Sequence, residues 1–148
     1  MPKLNIVEKV IALEGVEVFA DLIPEQLSRI AAIANEVQFA PGAIILDESK
    51  RLDALYVIVD GAIELRHGDE PLSTVGRDYA LGMWAMFEDT DPMHVTARAI
   101  EDTRLLRIDR EDFYELLADH AEITSVMFST LVKRVRSGME PVRSGGAR

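Results

Sequence analysis

From Leu4 to Leu13 the apolar residues Leu4, Ile6, Val7, Val10 and Ile11 recur at helical spacing, and Gly15 stands where such a helix would stop. An apolar connection, Val18-Phe19, leads to Pro24. Proline suits a first helical position because the N–H it lacks has no intrahelical partner there, and Glu25 suits the positive end of the helix. Leu27, Ile30, Ala31, Ile33 and Ala34 then line one face, which predicts a second helix ending near Asn35.

From Val37 the period falls to two. Val37 and Phe39 flank Gln38, and Pro41-Gly42 signals a turn. Short buried strands are predicted from Ala43 to Leu46 and from Leu55 to Val59. Asp60-Gly61 turns the chain into Ala62 to His67, where Ile63 and Leu65 alternate with Glu64 and Arg66. Gly68-Asp69 turns again, Leu72 to Val75 follows, and Gly76-Arg77-Asp78 interrupts the pattern. Gly82 opens a short apolar helical turn through Phe87, and strands from Val95 to Ile100 and Arg104 to Ile108 complete the region. Short strands with glycine-bearing turns at this spacing predict a closed or sandwiched antiparallel roll.

Helical spacing then returns. Asp109 is expected to cap a helix carrying Phe113, Leu116 and Leu117, with Glu111 and Asp112 in its first turn. A last helix is predicted from Ala121 to Arg136, packing through Ile123, Met127, Leu131 and Val135, with Val126, Phe128 and Val132 partly off that stripe. Lys133, Arg134 and Arg136 would complement its negative end. The expected organisation is one domain over residues 1–136: N-terminal helices 4–35, a roll 37–108 and C-terminal helices 109–136. Residues 137–148 are expected to form a flexible tail.

Composition narrows the function. With 148 residues, 48% hydrophobic and 28% charged, the chain suits one domain with a real core. Its net charge of −10 opposes DNA, RNA and anionic membranes. Cysteine is absent, which excludes disulfides, thiolate zinc sites and cysteine nucleophiles. No apolar run approaches the ~18 residues of a membrane span, and charges interrupt the first twenty positions, so the expected location is the cytoplasm. His67, His94 and His120 are isolated, and no nucleophile elbow, Walker loop or dinucleotide fingerprint occurs, so no enzyme is expected. The carboxylates of Glu88 to Asp91 lack calcium-loop spacing and are expected to be solvated.

Several segments in order carry a resemblance: Val18-Phe19-Ala20-Asp21-Leu22-Ile23-Pro24, Phe39-Ala40-Pro41-Gly42, Leu55-Tyr56-Val57-Ile58-Val59-Asp60-Gly61, Gly82, and Asp102 to Phe113. Together they resemble the cyclic-nucleotide-binding domain of catabolite activators, protein kinase A regulatory subunits and nucleotide-gated channels. The resemblance covers roughly Val18 to Arg136. It implies a mainly β fold with flanking helices, a double-stranded β-helix or jelly-roll-like β-roll. It also implies a phosphate cassette reading Gly-Glu-x-Ala-Leu, a loop, then Arg-x-Ala-Thr. The cassette positions here are Gly82, Met83, Trp84, Met93, His94, Val95 and Thr96.

Met83 stands on the glutamate that takes the ribose hydroxyl, and Met93 on the arginine that pairs with the phosphate. A charge-assisted hydrogen bond contributes roughly 1.5–3 kcal/mol, so losing both costs about 3–6 kcal/mol, a hundredfold to ten-thousandfold in affinity. Cyclic AMP or GMP binding is therefore expected to be weak or lost, and no other cofactor is implied. His94 and Arg98 are either solvated strand residues or substitute anion contacts. Met83, Trp84, Met86 and Phe87 either pack as core or, with Tyr79, line an apolar pocket for another ligand.

Two functions follow. One is a regulatory module signalling through its C-terminal helices to a protein partner or a homodimer. The other is a ligand-free interaction module on the same fold. Without a helix-turn-helix after Arg136, direct nucleic-acid binding is not expected, and neither is a membrane partner.

Overall fold

The computed structural model describes residues 2–83 and 95–139. Helix α1 (Ile6–Glu14) starts at a reciprocal cap: Asn5 Oδ1 accepts the Glu8 N–H at 2.8 Å, and Glu8 accepts the Asn5 N–H at 2.9 Å. It ends at Gly15, as expected. Of the expected face, Leu4 and Val10 are half-buried and pack on the core, but the rest of it does not. Ala12 and Leu13 are buried, while Ile6, Val7 and Ile11 are exposed. A 3₁₀ turn (Glu17–Phe19) follows, then α2 (Pro24–Ala32), with proline at its first turn.

The second helix stops before Asn35 because residues 34–36 are recruited into β1 (Ala34–Phe39), which pairs with residues 106–108 of a later strand. The roll therefore begins at Ala34 rather than Val37. Ile33 and Ala34 satisfy helical and strand periods alike, and the ladder decides between them.

Strands β2 (Ile44–Leu46), β3 (Ala54–Asp60), β4 (Ile63–His67), β5 (Glu70–Val75), β6 (Ala80–Leu81), β7 (Thr96–Ala99) and β8 (Thr103–Asp109) follow. They form two antiparallel sheets, in the orders β1-β8-β3-β6 and β2-β7-β4-β5. The expected roll is thus present, with one strand the pattern did not announce: Ala80-Leu81 pairs with Val57 and Tyr56. Of β2, only Leu46 is buried and Ile44 is exposed, so it is less enclosed than expected.

Continuous burial from Ala54 to Val59 has a simple cause: both faces of β3 are covered. Leu55, Val57 and Val59 join the core beneath the helices, whereas Ala54, Tyr56 and Ile58 face the interior between the sheets. Gly61 turns β3 into β4 at φ +106°, and a Cβ there would stand 2.7 Å from the Asp102 carbonyl oxygen.

Helix α3 (Arg110–Asp119) buries Phe113, whose ring lies 6.3 Å from Phe19, tying the two ends of the chain together. Asp109 precedes it but makes no side-chain cap; its carboxylate instead accepts from Arg107 Nε at 2.8 Å. Helix α4 (Ala121–Met139) runs three residues past the expected end, so the tail does not begin at Ser137. Residues 140–148 lie outside the described residues.

Candidate functional site

Gly82 sits at the end of β6, buried, with φ +92°. A Cβ at this position would collide with Leu52 and come within 2.8 Å of the Ala54 carbonyl oxygen. Only glycine meets both the conformational and the spatial demand, which is the property a backbone cradle for a ligand needs. Met83, which follows with helical backbone, is half-buried and packs on the core shared with the helices. Val95, half-buried, packs on the interior of the roll. Thr96 opens β7 opposite Arg66. Trp84, Met93 and His94, like Met86 and Phe87, lie outside the described residues. Among the cassette positions described, the fold therefore brings Gly82 and Met83 to the roll–helix junction and leaves Val95 and Thr96 at the start of β7.

Arg98 is exposed, between inward-facing Ala97 and Ala99, with Glu64 opposite it. That alternation points it away from the interior, in keeping with a solvated strand residue rather than an anion contact. Tyr79 is 43% exposed and lines none of the described cavities.

Sequence reasoning missed a polar cluster at this end of the roll. Arg107 lies 5.7 Å from the centre of the Tyr56 ring and donates to its hydroxyl at 3.2 Å. Asp109 and Asp53 hold the same guanidinium, at 2.8 Å and 3.6 Å. Burial raises the Tyr56 phenol above its ordinary value, and the hydrogen bond to Asp109 raises Arg107. The signal was the two-residue spacing of Arg107 and Asp109 on one strand face. Beside the cluster, a cavity of about 370 Å³ opens between β2, the loop from Asp47 to Asp53, Tyr56 and Val95.

The C-terminal helix is fastened by polar contacts. The buried Thr130 hydroxyl donates to Asp21 at 2.6 Å, Lys133 lies 3.6 Å from the same carboxylate, and Arg134 pairs with Glu17. Lys133 and Arg134 therefore serve as ties to the N-terminal segment rather than as partners for the helix end. Thr130's hydrogen bond, then Lys133's charge, lowers the Asp21 carboxyl below its ordinary value. The packed face is Ile123, Met127 and Thr130, with Val126 half-buried. Leu131 and Val135, expected to pack inward, are exposed at 41% and 61%. With Phe128 and Val132 they form an outward apolar stripe at helical spacing.

A family model described as the cyclic nucleotide-binding domain matches residues 36–120, more than half of the chain. The chain is 29% identical over 125 residues to the HTH-type transcriptional regulator Cmr of Mycobacterium tuberculosis, covering 78% of this chain and 49% of that protein. It is 25% identical over 134 residues to the CRP-like cAMP-activated global transcriptional regulator of the same species, covering 87% and 58%. The crystal structure of the N-terminal domain of a transcriptional regulator from Streptomyces coelicolor A3(2) superposes with a TM-score of 0.80 at 26% identity, over 90% of this chain and 99% of that one.

Roll, buried cassette glycine and these likenesses agree: the chain belongs to the cyclic nucleotide-binding domain family, whose members are regulatory modules. The chain spans about half the length of the curated relatives it matches. Among the described residues no helix is long and apolar enough to cross a membrane.

Proposed function

We infer that this chain is a non-catalytic, cytoplasmic regulatory module of that family that binds cyclic AMP and cyclic GMP weakly or not at all. The observation that carries this reading is Met83. It occupies the position of the ribose-binding glutamate, and its thioether packs on the helical core. The cradle glycine is kept while the group that would hold the sugar is spent on packing. Met93, on the arginine position, supplies no counter-charge either. Calorimetric titration of the unmodified chain with each nucleotide tests the reading: no heat at micromolar nucleotide supports it, and tight saturable binding refutes it.

The route of signalling in this reading is α4. Its base packs into the core beneath the helices through Ile123 and Met127, and its far half is tied to the 3₁₀ turn and the segment after it. A second reading, assembly without a ligand, draws support from the stripe Phe128, Leu131, Val132 and Val135, which no described residue covers. The occupant that fits is a second copy of the same helix, since apolar seams of this width are self-complementary about a two-fold axis. Phe128→Glu is expected to convert a dimer into a folded monomer in sedimentation. A monomeric unmodified chain would remove this reading.

A further inference from the structure

The loop between β2 and β3 stands against the back of the cassette glycine, and the 370 Å³ cavity lies beneath it. That volume falls among small-molecule sites. Ile44, Leu46, Leu52 and Val95 supply apolar wall, and Tyr56, itself 8% exposed, lines the cavity with them. The rim carries Asp47, Lys50, Arg51 and Asp53.

Each of the two carboxylates on that rim has a partner. Asp47 accepts the Ser49 N–H at 2.9 Å and the Ser49 hydroxyl at 2.7 Å, and the first of these holds its carboxyl below the ordinary value. Asp53 pairs with Arg107. Lys50 differs: it reaches Asp47 only by long-range attraction and makes no hydrogen bond or ion pair with its side chain among the described residues. The Tyr56 hydroxyl accepts from Arg107 and donates to no described residue. The cavity thus joins an apolar wall to a polar rim on which the Lys50 ammonium and the Tyr56 hydroxyl proton have no acceptor among the described residues, donors that suit an anionic group.

We propose that this cavity is a binding site for a small amphipathic carboxylate, an aryl or short-chain acid. Its apolar body would lie against Leu46, Leu52 and Val95, and its charged end would meet Lys50. The site shares Val95 with the cassette but uses neither its glutamate nor its arginine position, so it can bind a ligand whether or not the reading above holds. Leu52 links the two places: it is the side chain that a Cβ on Gly82 would strike, so filling the cavity is felt at the cassette backbone.

The test is an NMR titration of the full chain with 2-naphthoate and, separately, its neutral analogue 2-naphthamide. The acid is expected to shift the methyl signals of Leu46, Leu52 and Val95 and the Gly82 amide saturably, and to bind more tightly than the amide. Lys50→Gln is expected to weaken the acid about fivefold, the scale of a solvent-screened charge contact, and to leave the amide unchanged. Ile44→Glu, on the exposed part of the wall, is expected to weaken the acid as well, and both variants should keep the melting temperature of the unmodified chain. Equal affinity for acid and amide, a silent Lys50→Gln, no saturable shift at those methyls, or displacement of the acid by cyclic AMP would each overturn the proposal.

Discussion

At Gly82 backbone geometry and packing impose the same residue. Any side chain there would meet a positive φ, the Leu52 side chain and the Ala54 carbonyl together. Gly82→Ala is therefore expected to lower stability by roughly 2 kcal/mol or more in urea unfolding; an unchanged midpoint would mean that the loop yields freely. Glu36 illustrates the electrostatic side. It accepts the Leu4 N–H at 2.7 Å and faces Arg104 at 3.6 Å. The Leu4 hydrogen bond first, then the Gln38 hydrogen bond and the Arg104 charge, keep its carboxyl below the ordinary value. A depressed carboxyl adds stability that is fully present above its unfolded pKa and is lost as pH falls through the folded one. Stability should thus decline below about pH 4.5, and Glu36→Gln should flatten that decline. An identical acid limb in the variant would show that the carboxylate contributes nothing. The demand for glycine at Gly82 was legible from order and spacing, but the Arg107–Tyr56 stack was not, since only the ladder between β3 and β8 sets the two opposite each other.

At the scale of elements, period and turn signals found most strands and erred where two periods coincide. Ile33 and Ala34 fit a helical stripe, yet Ala34 pairs with Ile108. In α4 the row Ile123, Met127, Leu131, Val135 and the row Ile123, Met127, Thr130 are both helical neighbours. The second is buried, because Asp21 offers the Thr130 hydroxyl an acceptor that hydrophobicity alone does not foresee. The same logic explains Asp109, which is drawn to Arg107 rather than to the helix it precedes. Two consequences separate the rows. Ile123→Ala should cost about 2–4 kcal/mol, as for other fully buried aliphatic residues, whereas Val135→Lys should leave thermal stability nearly unchanged. Comparable losses from both would return Val135 to the core.

In the whole molecule two cores share the strands β3 and β8. β3 sends Leu55, Val57 and Val59 into the helical layer and Ala54, Tyr56 and Ile58 into the roll, and β8 divides Leu106 and Ile108 from Leu105 in the same way. The family resemblance was legible because its motifs sample both layers. The ties of α4 to the N-terminal segment were not, because they join residues more than a hundred positions apart. Those ties include two solvent-exposed ion pairs, Lys133 with Asp21 and Arg134 with Glu17. Salt screens such pairs, so hydrogen exchange along residues 130–136 should quicken at high ionic strength while β3 and β8 stay protected. Uniform quickening would instead mean that α4 and the roll open together.

The most direct measurement is calorimetric titration of Met83→Glu/Met93→Arg with cyclic AMP beside the unmodified chain. If the cradle persists and only its counter-charges are missing, the variant should bind at least about a hundredfold more tightly, the return expected from two charge-assisted hydrogen bonds. Micromolar binding by the unmodified chain, or no gain in a folded variant, would contradict the account.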